Sequence, residues 1–378
     1  MSLNTPESRE ACAARLEALA GEAARRTAFL GFDGFVDEII AVVDQRVSAA
    51  EFTRVPTIEA FARRIGAAAG RSTNLELVTR RTKIGGNGPI MASALARFGV
   101  RVTYVGALGH PAIHPVFAEL RANGAEIHSI ADPGRTDALE FEDGKLLVGK
   151  MFPLAEVTWE NLVERWGRGA FAGHFGHADL VGFVNWTMLP FMSDIWESVQ
   201  AELCPALTGP RRKLFFDLAD PEKRPDAELR RALDLILRFR PHFEVILGLN
   251  EKEAREVAGT LGLPAGGSRP EEVLALAAAI RERVPVDTLV VHPVRFAGSA
   301  GVLGAELVDG PFVAKPTITT GAGDHFNAGF CLGKLLGFND TESVLLGVTT
   351  SGAYVRSGIS PQIADLVRLL RDWPVQEA

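Results

Sequence analysis

A chain of 378 residues with 47% hydrophobic and 23% charged residues is long enough for a large core and too mixed for disordered, collagen-like or coiled-coil classes. Its net charge of -7 gives no global field for a nucleic-acid backbone or an anionic membrane, so neither is an expected partner and any phosphate must be held locally. Cys12, Cys204 and Cys331 are odd in number and lack Cys-x-x-Cys spacing, which argues against a disulfide framework and a thiolate metal site.

Residues 1–26 are charged and Ala-rich without the apolar core of an export signal, so they read as a helical extension of a cytoplasmic protein. From residue 27 to 378, short β-branched or aromatic runs alternate with helical patterns. The alternation predicts one α/β domain with a doubly wound, mostly parallel sheet. Strands are expected at Thr27–Phe32, Val102–Val105, Leu180–Val184, Leu214–Asp217, Val245–Leu249 and Thr288–Val291. Helices are expected at Pro89–Phe98, Pro115–Ala122, Met192–Leu203, Ala227–Arg238, Glu251–Gly259 and Glu271–Val284. The apolar run Val273–Ile280 is far shorter than the roughly 20 residues that span a bilayer.

Three segments break this pattern. Residues 35–46 and 75–84 flank a helix-like stretch, and 126–151 reads as two or three extended runs with turn signals at Asp132-Pro133-Gly134 and Asp143-Gly144. Together they predict a small β-sheet apart from the main one, placed to act as a lid. Its exposed edge offers a surface for a homodimer.

The sharpest chemical signal is Thr319-Thr320-Gly321-Ala322-Gly323-Asp324, which follows an extended run and opens an apolar helix. Gly321 and Gly323 let consecutive N–H groups approach an anion, and the helix N-terminus adds roughly half a positive charge. Asp324 at the mouth of such a turn suits the removal of a proton from an attacking hydroxyl. For an isolated Gly-x-Gly-Asp, an ordinary helix cap is the plain alternative. A second glycine cluster, Gly85-Gly86-Asn87-Gly88-Pro89, leaves room for a small polar ligand beside a helix whose proline sits in the first turn.

In this order the two clusters resemble the signatures of the PfkB/ribokinase family of carbohydrate kinases, and the likeness extends over residues 27–365. It implies the ribokinase-like fold, a sugar-like or nucleoside-like acceptor, ATP as phosphoryl donor, and Mg2+. Asp324 would be the catalytic base, with Gly321, Ala322 and Gly323 as its anion hole. Gly85, Gly86, Asn87 and the carboxylates Asp33 and Asp37, just past the first strand, would bind the acceptor, with Asn185 lining its pocket. Asp37 fits the family spacing better than Asp33. Asn250-Glu251-Lys252-Glu253 looks like the family's Asn-x-x-Glu element, so Asn250 and Glu253 would hold magnesium through water; a helix cap with an acidic first turn is the alternative. Thr320, Asn250, Gly298 and Gly301 are the nucleotide candidates. Asp217, Asp220 and Arg224 resemble a family segment near the phosphates, in either of two registers.

The chain also departs from the family. Ile318 stands where the signature usually has Asp, which puts the monovalent cation site of many members in question. Ile90 replaces an acceptor-binding Asn. Gly31–Asp37 and Gly85–Ala92 also look like ADP-dependent sugar kinases, so ADP stays an alternative donor. A catalytically silent sugar or nucleotide sensor is the reading from another class. A nicotinamide dehydrogenase is disfavoured, because no Gly-x-Gly-x-x-Gly follows the first strand. His174 and His177 lack a third ligand for zinc.

Overall fold

The computed structural model describes residues 4–374, so the outermost ends of the expected 1–26 and 27–378 regions lie outside the described residues. Its strands are β1 (Thr27–Gly31), β2 (Phe35–Arg46), β3 (Phe52–Arg54), β4 (Leu77–Gly85), β5 (Arg101–Gly106), β6 (Glu126–Ser129) and β7 (Gly134–Phe141). They continue as β8 (Gly144–Lys150), β9 (Leu180–Phe183), β10 (Arg212–Asp217), β11 (Phe243–Leu249), β12 (Thr288–Val291), β13 (Phe296–Gly301) and β14 (Gly304–Asp309).

The main sheet has nine strands in the order β14-β13-β12-β11-β10-β9-β1-β5-β6. From β6 to β12 the pairs are parallel, and the antiparallel hairpin β13–β14 closes the other edge. The chain leaves β1 towards β5 and β6, then returns to β9 on the opposite side. The order therefore reverses at β1, and ligands of open α/β sheets bind outside the strands' carboxyl ends at such a point.

Both faces are covered, as a parallel sheet requires. Phe29 of β1 enters one core with Phe183, Trp196, Phe216 and Phe239, while Ala28 and Leu30 enter the other. The second core is built by the helices Asn87–Arg97, Ala322–Leu335 and Asp340–Ser357. The N-terminal helix Pro6–Leu19, capped by Thr5, buries Cys12, Ala13 and Leu16 there beside Leu366 and Leu370. The extension thus shares the domain's core. All three cysteines are buried free thiols.

The small sheet is centred on β2, with β4 antiparallel along one edge, β7 parallel along the other, and β8 outside β7. Ile40, Val42, Leu139 and Phe141 form its own core under Phe61 of the helix Ile58–Gly66. The expected segments 35–46 and 75–84 are here, but 126–151 divides. The segment Glu126–Ser129 pairs parallel with β5 in the main sheet, because Pro115–Ala122 forms a helical crossover and Ile127 packs in the second core. The β7–β8 turn also differs: Phe141 faces Gly144, so Glu142 and Asp143 make the loop. Asp143 then accepts the Ile58 N–H at 2.9 Å, tying hairpin to helix.

Candidate active site

The carboxyl end of β1 delivers Asp33 to a fully buried position. Its Oδ1 accepts from Gly88 N at 2.9 Å, and its Oδ2 accepts from Asn87 N at 2.9 Å and Asn185 Nδ2 at 2.6 Å. The Tyr104 hydroxyl donates to the Asp33 carbonyl at 2.6 Å. Gly86, the residue before the helix Asn87–Arg97, brings no side-chain cap, so Asp33 satisfies the first helical N–H groups from another strand. Burial still pushes its carboxyl up to about 6. The expectation that Asp33 binds sugar hydroxyls therefore gives way: both oxygens are taken by the protein, and Asp33 fixes Asn87 and Asn185 instead.

Asp37 sits in β2 directly over the glycine pair. A Cβ on Gly85 would lie 2.2 Å from its Oδ1, and one on Gly88 would lie 2.3 Å from the Tyr104 hydroxyl. These two positions exclude side chains because the site's own groups fill the space. Gly86 has φ 94, a left-handed conformation suited to glycine. Burial raises the Asp37 carboxyl, and Lys83 on the paired strand β4 and Thr136 on β7 draw it back down.

The turn after Ile318 forms as expected. Gly321, with φ 89, precedes the helix Ala322–Leu335, which puts Ala322, Gly323 and Asp324 in its first turn; the Ala322 N–H is donated back to the Thr319 carbonyl at 3.2 Å, so of the expected anion hole only Gly323 and Asp324 direct their N–H groups outward. Asp324 is buried. Desolvation holds its carboxyl well above the usual range, the Asp33 charge adds to that, and the Asn87 side chain and Lys83 oppose it. Lys145, from the small sheet's β8, contacts the Thr320 hydroxyl, and Tyr354 donates to the Thr320 carbonyl at 3.0 Å. The small sheet thus reaches the turn directly.

Beside the turn lies a cavity of about 330 Å³ lined by Asn250, His292, Gly310, Phe312, Thr319 and Gly323 among others. Asn250, a nucleotide candidate, is among its lining residues. Thr320 is not: it faces Lys145, and its neighbour Thr319 faces the cavity. Gly298 and Gly301 are buried inside β13, against Leu274 and Asp340, and Gly301 pairs with Thr288 at the sheet's far end. Neither lines the cavity expected for nucleotide: the β12–β13 connection bends at Val294 and Arg295 before β13 begins, and Gly310 is on the cavity wall instead. The Gly310-Pro311 pair was a visible turn signal for that wall; nothing in the local pattern pointed to Lys83 or Lys145.

Asn250 and Glu253 form a reciprocal cap. Asn250 Oδ1 accepts Glu253 N at 2.9 Å, Glu253 Oε2 accepts Asn250 N at 2.8 Å, and Glu253 Oε1 accepts Asp220 N at 3.0 Å. Of Asp217, Asp220 and Arg224, Asp217 is the buried residue. It is raised well above the usual carboxylate range by burial and by the Glu253 and Asp324 charges, and Asn327 donates to its Oδ2 at 2.8 Å. Its Oδ1 and the Asn185 Oδ1 are buried without a protein partner. Asp220 pairs with Lys223 and Lys252 at the surface, and Arg224 stacks on Trp186. Among the described residues no three His, Cys, Asp or Glu are placed to ligate a metal directly. This donor set fits a hydrated magnesium ion, whose charge would relieve the mutual repulsion of Asp217, Glu253 and Asp324 through its waters.

His174 stacks on Trp166 at 5.3 Å, and His177 bonds the Gly173 carbonyl at 2.8 Å. Trp186 is buried, with its N–H donated to Ser193 at 2.9 Å.

Comparison with known proteins agrees with this geometry. The prokaryotic ketohexokinase family matches over residues 4–373. A ketohexokinase from Haloferax volcanii is 30% identical over 338 residues, covering 89% of this chain and 88% of that protein. Among solved structures, a carbohydrate kinase from Agrobacterium tumefaciens superposes with a TM-score of 0.63 at 16% identity, covering 91% of this chain and 97% of the other. Arabidopsis thaliana ribokinase, solved with ribose and ATP, gives 0.62 at 16% identity, with 92% and 98% covered. The chain belongs to the prokaryotic ketohexokinase family, within the PfkB carbohydrate kinases, and has the ribokinase-like fold.

Proposed function

We propose that the enzyme transfers the γ-phosphoryl group of ATP to a hydroxyl of a ketohexose. The observation that carries this reading is the place of Asp324, in the first turn of the helix whose Ala322 and Gly323 line the cavity at Asn250 and His292, with the Asn87 side chain and Lys83 as its neighbours and Lys83 shared with Asp37. The ketohexokinase relative supports a ketohexose acceptor, and the ribokinase solved with ribose and ATP supports the donor.

In this mechanism the acceptor lies between the small sheet and the carboxyl end of β1, held by Asp37, the Asn87 side chain and the Asn185 Oδ1. The nucleotide fills the cavity walled by Asn250, His292, Thr319 and Gly310. The acceptor oxygen forms its bond to the γ-phosphorus as the bond to the bridging β–γ oxygen breaks, and the hydroxyl proton passes to an Asp324 oxygen. The N–H groups of Gly323 and Asp324 face the charge that develops on the moving group, and the ammonium groups of Lys83 and Lys145 stand beside it. Asp217, whose Oδ1 has no protein partner, would hold a magnesium ion through water with Glu253 behind it as a fixed negative charge, and the ion would neutralise phosphate charge there. Ile318 has no side-chain oxygen to offer a monovalent ion.

Closure of the small sheet over the acceptor would hold Lys145 at the turn, where it already contacts the Thr320 hydroxyl. The edge of that sheet, with Leu147 59% and Val148 48% exposed, offers a pairing surface for a second copy. Among the described residues no helix is long and apolar enough to cross a membrane, which fits an enzyme of the cytoplasm. A coupled assay over ketohexoses, aldoses and nucleosides with ATP or ADP tests the reading. Turnover of a ketohexose with ATP is expected; turnover only with ADP, only with another acceptor class, or with none overturns it.

A further inference from the structure

Behind the glycine turn lies a second cavity of about 280 Å³, lined by Arg81, Lys83, Ser93, Arg97, Asn123 and Tyr354 among others. The turn divides it from the nucleotide cavity: Thr319, Ala322 and Gly323 face one side, whereas Ile318 and His325 face the other. Arg81 and Arg97, with Lys83 shared between this cavity and the active-site carboxylates Asp37 and Asp324, thus meet one carboxylate of the cavity's own lining, that of Glu119. Arg97 spends its Nε on the Ser360 carbonyl at 3.3 Å, and no carboxylate lies within ion-pair distance of Arg81, Lys83 or Arg97 among the described residues.

The neutral groups are donor-rich too. Ser93 Oγ accepts from Asn123 Nδ2 at 2.8 Å, which leaves the Ser93 hydroxyl proton free to donate. His325 donates from Nδ1 to the Gly321 carbonyl at 2.7 Å and accepts from Ser360 at 2.8 Å, and its ring stacks on Tyr354 at 3.6 Å. These bonds make a braced, uncharged wall. A cation here would meet three positive charges and the apolar Ile318. A phosphoryl dianion matches the planar donor forks of two arginines.

We propose that this cavity is a second anion site, which binds a phosphoryl dianion, as inorganic phosphate or as the ester of a sugar monophosphate, independently of the nucleotide cavity. The proposal does not depend on turnover. Calorimetric titration of the full chain with inorganic phosphate and with glucose 6-phosphate, each with saturating non-hydrolysable ATP, tests it. One equivalent is expected to bind, at least tenfold more weakly in Arg81→Gln and weaker again in Arg81→Glu. Arg81 is exposed on β4, so an unchanged melting temperature of each variant without phosphate shows that the fold is intact. Tighter binding of the sugar ester would identify it as the ligand; equal or weaker binding would identify inorganic phosphate. No phosphate binding with nucleotide present, or binding that both Arg81 variants leave unchanged, would overturn the proposal.

Discussion

Asp33 and Asp37 share one motif and serve different ends. Asp33 accepts four hydrogen bonds or more inside the protein, two of them from helix N–H groups, whereas Asp37 keeps its carboxylate for the space above Gly85. Each buried donor left unpaired costs about 1–3 kcal/mol. Asp33→Ala should therefore lose at least ~3 kcal/mol in urea unfolding, by the same per-donor cost. Asp37→Ala should unfold near the wild-type midpoint while its kcat/KM falls tenfold or more, about 1.4 kcal/mol of transition-state binding. The residue level also sets a pH dependence. Burial holds the His325 imidazole down at about 4, below its ordinary 6.5, so the unfolded chain binds more protons in that window. Stability then rises with pH from 4 to 6.5 and is lost as pH falls through the window. His325→Gln should remove roughly 3 kcal/mol of that slope between the two pH values, read by urea unfolding at each.

At the level of elements, the strands of the main sheet were readable because burial on both faces makes each a short continuous apolar run, bounded by polar turns. The glycine turn with Asp324 was readable because amides, helix start and carboxylate are adjacent in sequence. What was not readable depends on which side of an element faces the site. Thr319 and Thr320 are neighbours on opposite sides of one turn, and Gly298 and Gly301 look like a glycine turn but lie within a strand. The short helix before Glu126–Ser129 sends that strand to the main sheet, although its composition is no different from that of the small sheet. Close helix packing is a further case. A Cβ on Gly329 would meet Thr350 Oγ1 at 2.2 Å and the Leu346 carbonyl at 2.6 Å, so Gly329 lets the helices Ala322–Leu335 and Asp340–Ser357 touch. Gly329→Ala should cost about 1–3 kcal/mol of stability by overpacking, with KM for both substrates unchanged.

At the scale of the whole molecule, two sheets meet over one site. The main sheet supplies the turn, Asn185, Asp217 and the nucleotide cavity; the small sheet supplies Asp37, Lys83 and Lys145. Because Lys145 already contacts Thr320, acceptor binding should fix the hairpin β7–β8 against the turn. Amide exchange across residues 134–150 should slow when a ketohexose is added, and exchange at the same rate with and without it would count against closure. The most direct measurement of the central claim is the turnover of Asp324→Asn, which keeps the shape of the side chain and removes its ability to take a proton. General-base assistance contributes about 10²–10⁴-fold, so kcat should fall at least ~100-fold with the melting temperature and nucleotide affinity preserved. Turnover within a few-fold of the wild type would contradict the account.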